Sequence, residues 1–206
     1  MSGHLTSLAD FRMSSTPLKA APRSMLFVSG EKAERFPKAM SAGADVVCID
    51  LEDAVHHERK QIAREQVLSW LSGKRQADGP AVALRINGVR TVEGLRDVLA
   101  LAESDVQLDW LLVPKVEDAA DLHSLHAWIG HRYDRLTALI ETPYAVENAA
   151  SIARAGGKLA ALMLGGADLA AELGAQFGWE GLLHARGRLI NAARAAGLQA
   201  WDVPHI

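Results

Sequence analysis

From Arg23 onward the chain alternates short, nearly continuous apolar runs with longer Ala- and Leu-rich stretches of helical period. The runs Met25–Ser29, Val46–Leu51, Ala81–Ile86, Trp110–Val113, Thr137–Ile140, Leu159–Leu164 and Gln199–Val203 have the length of strands. Most are apolar at successive rather than alternate positions, which is how strands buried on both faces of a parallel sheet read. Helices must then cover the sheet. The stretches Glu31–Ser41, His57–Leu71, Val92–Ala102, Ala119–Ile129, Ala145–Ala155 and Asp168–Ala196 supply them, each with helix formers and an apolar stripe. Thr91 is placed to cap the third helix, and Gly43, Gly73, Gly156 and Gly197 stand where helices should stop.

Seven βα steps predict an α/β fold of the TIM type, a (β/α)8 barrel incomplete at the eighth unit. An open doubly wound sheet is the alternative. The barrel is favoured because no Gly-x-Gly-x-x-Gly follows the first strand and because ionisable residues end most of the strands. Residues 1–22 mix Ser, Thr, His and Pro without an apolar block, which predicts a flexible tail, leaving 23–206 as one barrel domain. A chain of 206 residues with 49% apolar content suits a single packed domain. A net charge of −3 offers no field to gather nucleic acid or anionic lipid, so small molecules are the expected partners. The lone cysteine, Cys48, and the absence of an apolar run of membrane-spanning length predict a cytoplasmic protein.

Charge arrives abruptly where the apolar runs end. Asp50, Glu52 and Asp53 close the second run, Arg85 and Asn87 the third, Lys115 and Glu117 the fourth and Glu141 the fifth, while Asp168 follows the sixth through Gly165 and Gly166. One such residue is ordinarily a helix cap or a solvated loop charge, but recurrence on five successive strands gathers them on one rim. Glu141 and Asp168 form a carboxylate pair from adjacent strands, and hard oxygen ligands without Cys or clustered His suit Mg²⁺ or Mn²⁺ rather than zinc. Arg85 is a planar fork suited to a substrate carboxylate, or else a partner for Asp50 or Glu52. The backbone N–H groups of Gly166 and Ala167 are placed to donate to a carboxylate, or simply to form the turn. The paired histidines His56/His57 and His123/His126, and Cys48, read as exposed or structural.

These residues carry a resemblance. Arg23-Ser24-Met25-Leu26-Phe27-Val28-Ser29-Gly30, Ile49-Asp50-Leu51-Glu52-Asp53-Ala54-Val55, Leu84-Arg85-Ile86-Asn87, Val113-Pro114-Lys115-Val116-Glu117, Leu139-Ile140-Glu141-Thr142 and Leu164-Gly165-Gly166-Ala167-Asp168-Leu169 closely resemble, in order and spacing, the citrate lyase β-subunit-like family, which belongs with the HpcH/HpaI aldolases. The resemblance implies a homotrimeric or hexameric barrel that uses Mg²⁺, or Mn²⁺ in its place. Its reaction would be carbon–carbon cleavage of a 3-hydroxyacyl thioester of the citryl-, citramalyl- or malyl-CoA type, carried on CoA or an acyl carrier, to acetyl-CoA and a 2-oxo acid. It implies Glu141 and Asp168 as metal ligands, Arg85 with the Gly166 and Ala167 amides as the keto-acid site, and Asp50, Glu52 and Asp53 as the group organising proton transfer. Related aldolases carry histidine where this chain has Asp53, so the base is not carried over. The chain ends at Ile206, before the eighth strand and closing segment usual in the family. That ending keeps two alternatives in view, an aldolase acting on free 2-oxo acids and a non-catalytic subunit that binds metal and keto acid.

Overall fold

The computed structural model describes residues 21–72 and 79–202. Most of the expected tail, the helix stop at Gly73 and the end of the last predicted strand at Val203 lie outside the described residues.

Seven strands form one parallel sheet in chain order: β1 (Met25–Ser29), β2 (Val46–Asp50), β3 (Ala81–Arg85), β4 (Leu108–Val113), β5 (Tyr133–Ile140), β6 (Leu159–Leu164) and β7 (Gln199–Trp201). Between them run α1 (Phe36–Met40), α2 (Lys60–Leu71), α3 (Val92–Glu103), α4 (Ala119–Ile129), α5 (Pro143–Ile152), α6 (Gly166–Leu173) and α7 (Leu183–Ala195). Thr91 caps α3 by accepting from Gly94 N at 3.0 Å, as its position predicts. Gly43, Gly156 and Gly197 all take positive φ just after helical segments, where a side chain would be strained.

The continuous apolar runs of the inner strands have the predicted cause, since these strands are covered on both faces, while the edge strands β1 and β7 are only partly buried. One face, with Val47, Ile49, Leu84 and Leu111, packs under the helices in the larger cluster. The other, with Val46, Cys48, Ala83, Trp110, Leu112, Leu139 and Met163, packs against itself inside the curl of the sheet, where the Trp110 and Trp201 rings lie 5.0 Å apart.

Two expectations are corrected. The sheet is an open, curled half-barrel of seven strands and not a closed or nearly closed eight-unit barrel. Among the described residues β1 pairs only with β2 and β7 only with β6. A cavity of about 720 Å³, lined by residues 22–27 on one side and 200–202 on the other, separates the two edges. Closure requires hydrogen bonds between first and last strands, and curvature alone does not supply them. The stretch Asp168–Ala196 is also two helices rather than one, because Gly174 takes a left-handed φ of 62° and ends α6.

Candidate active site

Strand parity carries the core out into the site. Side chains on one strand face alternate with a period of two, so the interior positions of Cys48, Ala83, Leu139 and Met163 are continued by Asp50, Arg85, Glu141 and Gly165 at the carboxyl ends. These residues open onto a cavity of about 430 Å³ with Asp53, Ala54, Gly166, Ala167 and Asp168 on its rim and Phe27, Leu139, Met163 and Leu164 as apolar wall. Ligand sites of α/β sheets lie at this end of the strands.

Asp50 and Arg85 are register partners on neighbouring strands. Their side chains meet as a fork, with Nε 2.7 Å from Oδ1 and Nη2 2.6 Å from Oδ2. Asp50 also accepts from the backbone N–H groups of Glu52 and Ala54 at 2.8 and 3.1 Å, which fills the four acceptor positions of a carboxylate. Asp50 therefore orients Arg85 and the turn after β2. The fork expected to face a substrate carboxylate is engaged by Asp50 in this structure. Arg85 Nη1 instead points to Glu52 at 3.0 Å and Asp53 at 3.4 Å.

Lys115, given no role by the sequence reading, sits at the centre of the charges. It adopts φ 54°, a left-handed conformation that costs a non-glycine residue on the order of 1–2 kcal/mol. In that conformation its backbone N–H donates to Glu141 Oε2 at 2.7 Å. Its Nζ reaches Glu52 Oε1 at 2.9 Å and Asp168 Oδ2 at 3.3 Å. The sequence signal was its place at a strand end after Pro114, a position shared with Glu117, which lies elsewhere and pairs with Arg90.

Glu141 lies against Gly165, where an added Cβ would come within 2.0 Å of Glu141 Cγ. Glycine is thus required for the carboxylate to occupy the inner face. Burial first, and then the negative charge of Glu52, push the Glu141 carboxyl up to about 7, with the Lys115 N–H working against them. Burial also raises Glu52, opposed by Arg85 and Lys115.

Glu52, Asp53 and Asp168 each offer a carboxylate oxygen within 4.8 Å of the others. Two buried oxygens in this group, Glu52 Oε2 and Asp168 Oδ2, have no hydrogen-bond partner. Their ion-pair contacts with Arg85 and Lys115 lie outside hydrogen-bonding geometry, so charge is balanced while directional bonding is not. Unbonded buried carboxylate oxygens, an ammonium marking where positive charge is favoured, and a cavity lining without Cys or His among the described residues fit a hard divalent cation. Asp168 thus groups with Glu52 and Asp53, and Glu141 shares the same cavity, held on the Lys115 amide.

Gly166, Ala167 and Asp168 form the first turn of α6, for which Gly165 provides no side-chain cap. The N–H groups of a first helical turn point out along the axis toward negative charge. Gly166 and Ala167 therefore present donors at the cavity rim beside Asp168.

Residues 23–206 match the family described as HpcH/HpaI aldolase/citrate lyase. The chain is 36% identical over 182 residues to a (3S)-malyl-CoA thioesterase of Cereibacter sphaeroides, covering 87% of this chain and 62% of that protein. It is 33% identical over 176 residues to an L-malyl-CoA/β-methylmalyl-CoA lyase of the same organism, covering 81% of this chain and 55% of that protein. The chain therefore spans about three fifths of the length of these relatives. Among solved structures, a citrate lyase β subunit from M. tuberculosis complexed with oxaloacetate and magnesium superposes with a TM-score of 0.75 at 32% identity, covering 91% of this chain and 80% of that one.

Proposed function

The chain belongs to the HpcH/HpaI aldolase/citrate lyase family, and from that footing we propose that it is a Mg²⁺-dependent carbon–carbon lyase. Its substrate is a 3-hydroxyacyl-CoA of the malyl, citramalyl or citryl kind, and its products are acetyl-CoA and a 2-oxo acid. The observation that carries this reading is the pair of buried, unbonded oxygens of Glu52 and Asp168, in a carboxylate cluster whose Asp53 and Asp168 line the pocket that also holds Arg85. Oxaloacetate and magnesium in the related β subunit, and malyl-CoA in the names of two relatives, support it.

Asp168 and Glu141 would hold the metal, with Glu52 and Asp53 near enough to Asp168 to complete its shell directly or through water. Bound there, the ion supplies Lewis-acid charge to the keto-acid half of the substrate. Arg85 Nη1 and the Gly166 and Ala167 amides bind the substrate carboxylate, while Asp50 keeps the guanidinium plane fixed. The Glu52–Asp53 pair takes the hydroxyl proton as the bond between C2 and C3 of the acyl chain breaks. The electron pair passes to the thioester enolate, which is protonated to acetyl-CoA. Phe27, Leu139 and Met163 exclude water from one side of the reacting centre.

The same reading takes residues 23–206 as one catalytic unit and keeps the cytoplasmic location that the sequence suggested and the homo-oligomer, trimer or hexamer, that the family resemblance implies. No helix among the described residues is long and apolar enough to cross a membrane. The exposed Leu173, Phe177, Trp179 and Leu183 around the α6–α7 connection supply apolar area for the homo-oligomer. The thioesterase name of one relative favours a second reading, hydrolysis of the thioester without carbon–carbon cleavage.

Incubation with Mg²⁺ and malyl-CoA, citramalyl-CoA or citryl-CoA, followed by chromatography, separates these. The lyase yields acetyl-CoA with an equal amount of 2-oxo acid. Free CoA with intact hydroxy acid identifies a thioesterase, and unchanged substrate rejects both.

A further inference from the structure

Lys60 opens α2, a poor position for a cation because the first turn of a helix carries the positive end of its dipole. Its ammonium is nevertheless turned inward to three acceptors: Leu51 O at 2.8 Å, Glu52 O at 2.7 Å and Asn87 Oδ1 at 2.7 Å. These match the three N–H bonds of an ammonium. Two of the acceptors have a special location. The Leu51 carbonyl belongs to the peptide before the Glu52 Cα and the Glu52 carbonyl to the peptide after it, so one side chain restrains both rotatable bonds that aim Glu52. The second of those peptides leads directly into Asp53.

The third acceptor is itself anchored. Asn87 donates from Nδ2 and from its backbone N to Asp97 Oδ2, at 2.6 and 2.8 Å, and Asp97 Oδ1 accepts from Arg64 Nε at 2.6 Å. Arg64 lies one turn after Lys60 on α2, and Asp97 on α3 is 1% exposed. The bonds therefore close a loop through α2, the end of β3 and α3, and the part of it nearest the site is the Lys60 ammonium.

We infer that Lys60 is a positioning residue for the cation cluster: by pinning the peptides on either side of Glu52 it holds the Glu52 and Asp53 carboxylates in place opposite Asp168. The inference rests on the reading that this cluster binds a divalent metal. Partners behind a metal ligand commonly contribute about 10–100-fold to affinity.

The test is calorimetric titration of Mg²⁺ alone into the full chain, with melting followed by circular dichroism on each protein. Wild type is compared with Lys60→Met, with Lys60→Cys before and after aminoethylation by bromoethylamine, with Asp168→Asn, and with Ile129→Ala, a buried core position at the C-terminal end of α4 outside the cavity lining and the Lys60 loop, as a destabilised control. Aminoethylation rebuilds a lysine-like amine at position 60, and Cys48 is buried and so protected from the reagent. Lys60→Met and Lys60→Cys are expected to raise the Mg²⁺ dissociation constant by about tenfold or more. Aminoethylation should return it close to the wild-type value, and Ile129→Ala should leave it unchanged. Should Lys60→Met not hold its fold, Lys60→Gln, which keeps a donor, carries the same expectation at smaller amplitude. An unchanged constant in the Lys60 variants, beside lost binding in Asp168→Asn, overturns the role of Lys60 alone. Absence of Mg²⁺ binding by the wild type overturns the metal reading and this inference with it.

Discussion

Burial and charge act in the same direction on Glu141, whose carboxyl is pushed up to about 7 from an ordinary 4.5. A carboxyl raised in the folded state contributes stability that is fully present below pH 4.5 and is lost as pH rises through about 7. The size of that loss is about 3 kcal/mol. In Glu141→Gln the amide keeps an oxygen for the Lys115 N–H but cannot ionise. Denaturant melts in EDTA are expected to show the variant equal to wild type near pH 4.5 and more stable by up to about 3 kcal/mol at pH 8. A difference that does not vary with pH would show that the Glu141 carboxyl is not held up by its surroundings. Individual residues also mark where sequence reading stops. That Asp50, Arg85 and Glu141 belong together was legible from their places at strand ends. That the Arg85 fork is engaged by Asp50 was not, because the choice between a substrate carboxylate and a neighbouring aspartate depends on strand register.

Elements were read well where burial governs them. Strands covered on both faces announce themselves as unbroken apolar runs, and β6 falls on the predicted residues, as does the less buried edge strand β1. β4 and β5 begin earlier than predicted, at Leu108 and Tyr133, because Asp109, Asp134 and Arg135 interrupt the apolar run there without interrupting the pairing. The break between α6 and α7 was hidden by Ala, Glu and Gln around Gly174, which are good helix formers. At the junction of β6 and α6 the demand is on Gly165. Gly165→Ala places a methyl group against Cγ, Cδ and Oε1 of Glu141 together, so the whole side chain would have to move and not its tip alone. The expected result is a loss of roughly 1–3 kcal/mol of stability together with lost Mg²⁺ binding, read by thermal melting and calorimetry. Retention of both would mean that Glu141 lies elsewhere.

Across the whole molecule, local pattern gave the order and parallel sense of seven strands but not whether the sheet closes. Closure is decided by contact between residues far apart in sequence, here β1 and β7, whose apolar character is the same whether they meet each other or border a cavity. The site survives this correction. It is assembled from the ends of β2, β3, β4, β5 and β6 and the turns that follow them, five successive neighbours within the open sheet, so its geometry does not require that the sheet be closed. The central claim is that these strand ends hold a divalent ion which in turn recruits a 2-oxo acid. Calorimetric titration of oxaloacetate into the full chain, with Mg²⁺ and again with EDTA, tests it directly. The account predicts binding with Mg²⁺ only, abolished in Asp168→Asn without a change in melting temperature. Equal binding in EDTA, or undiminished binding by Asp168→Asn, would contradict it.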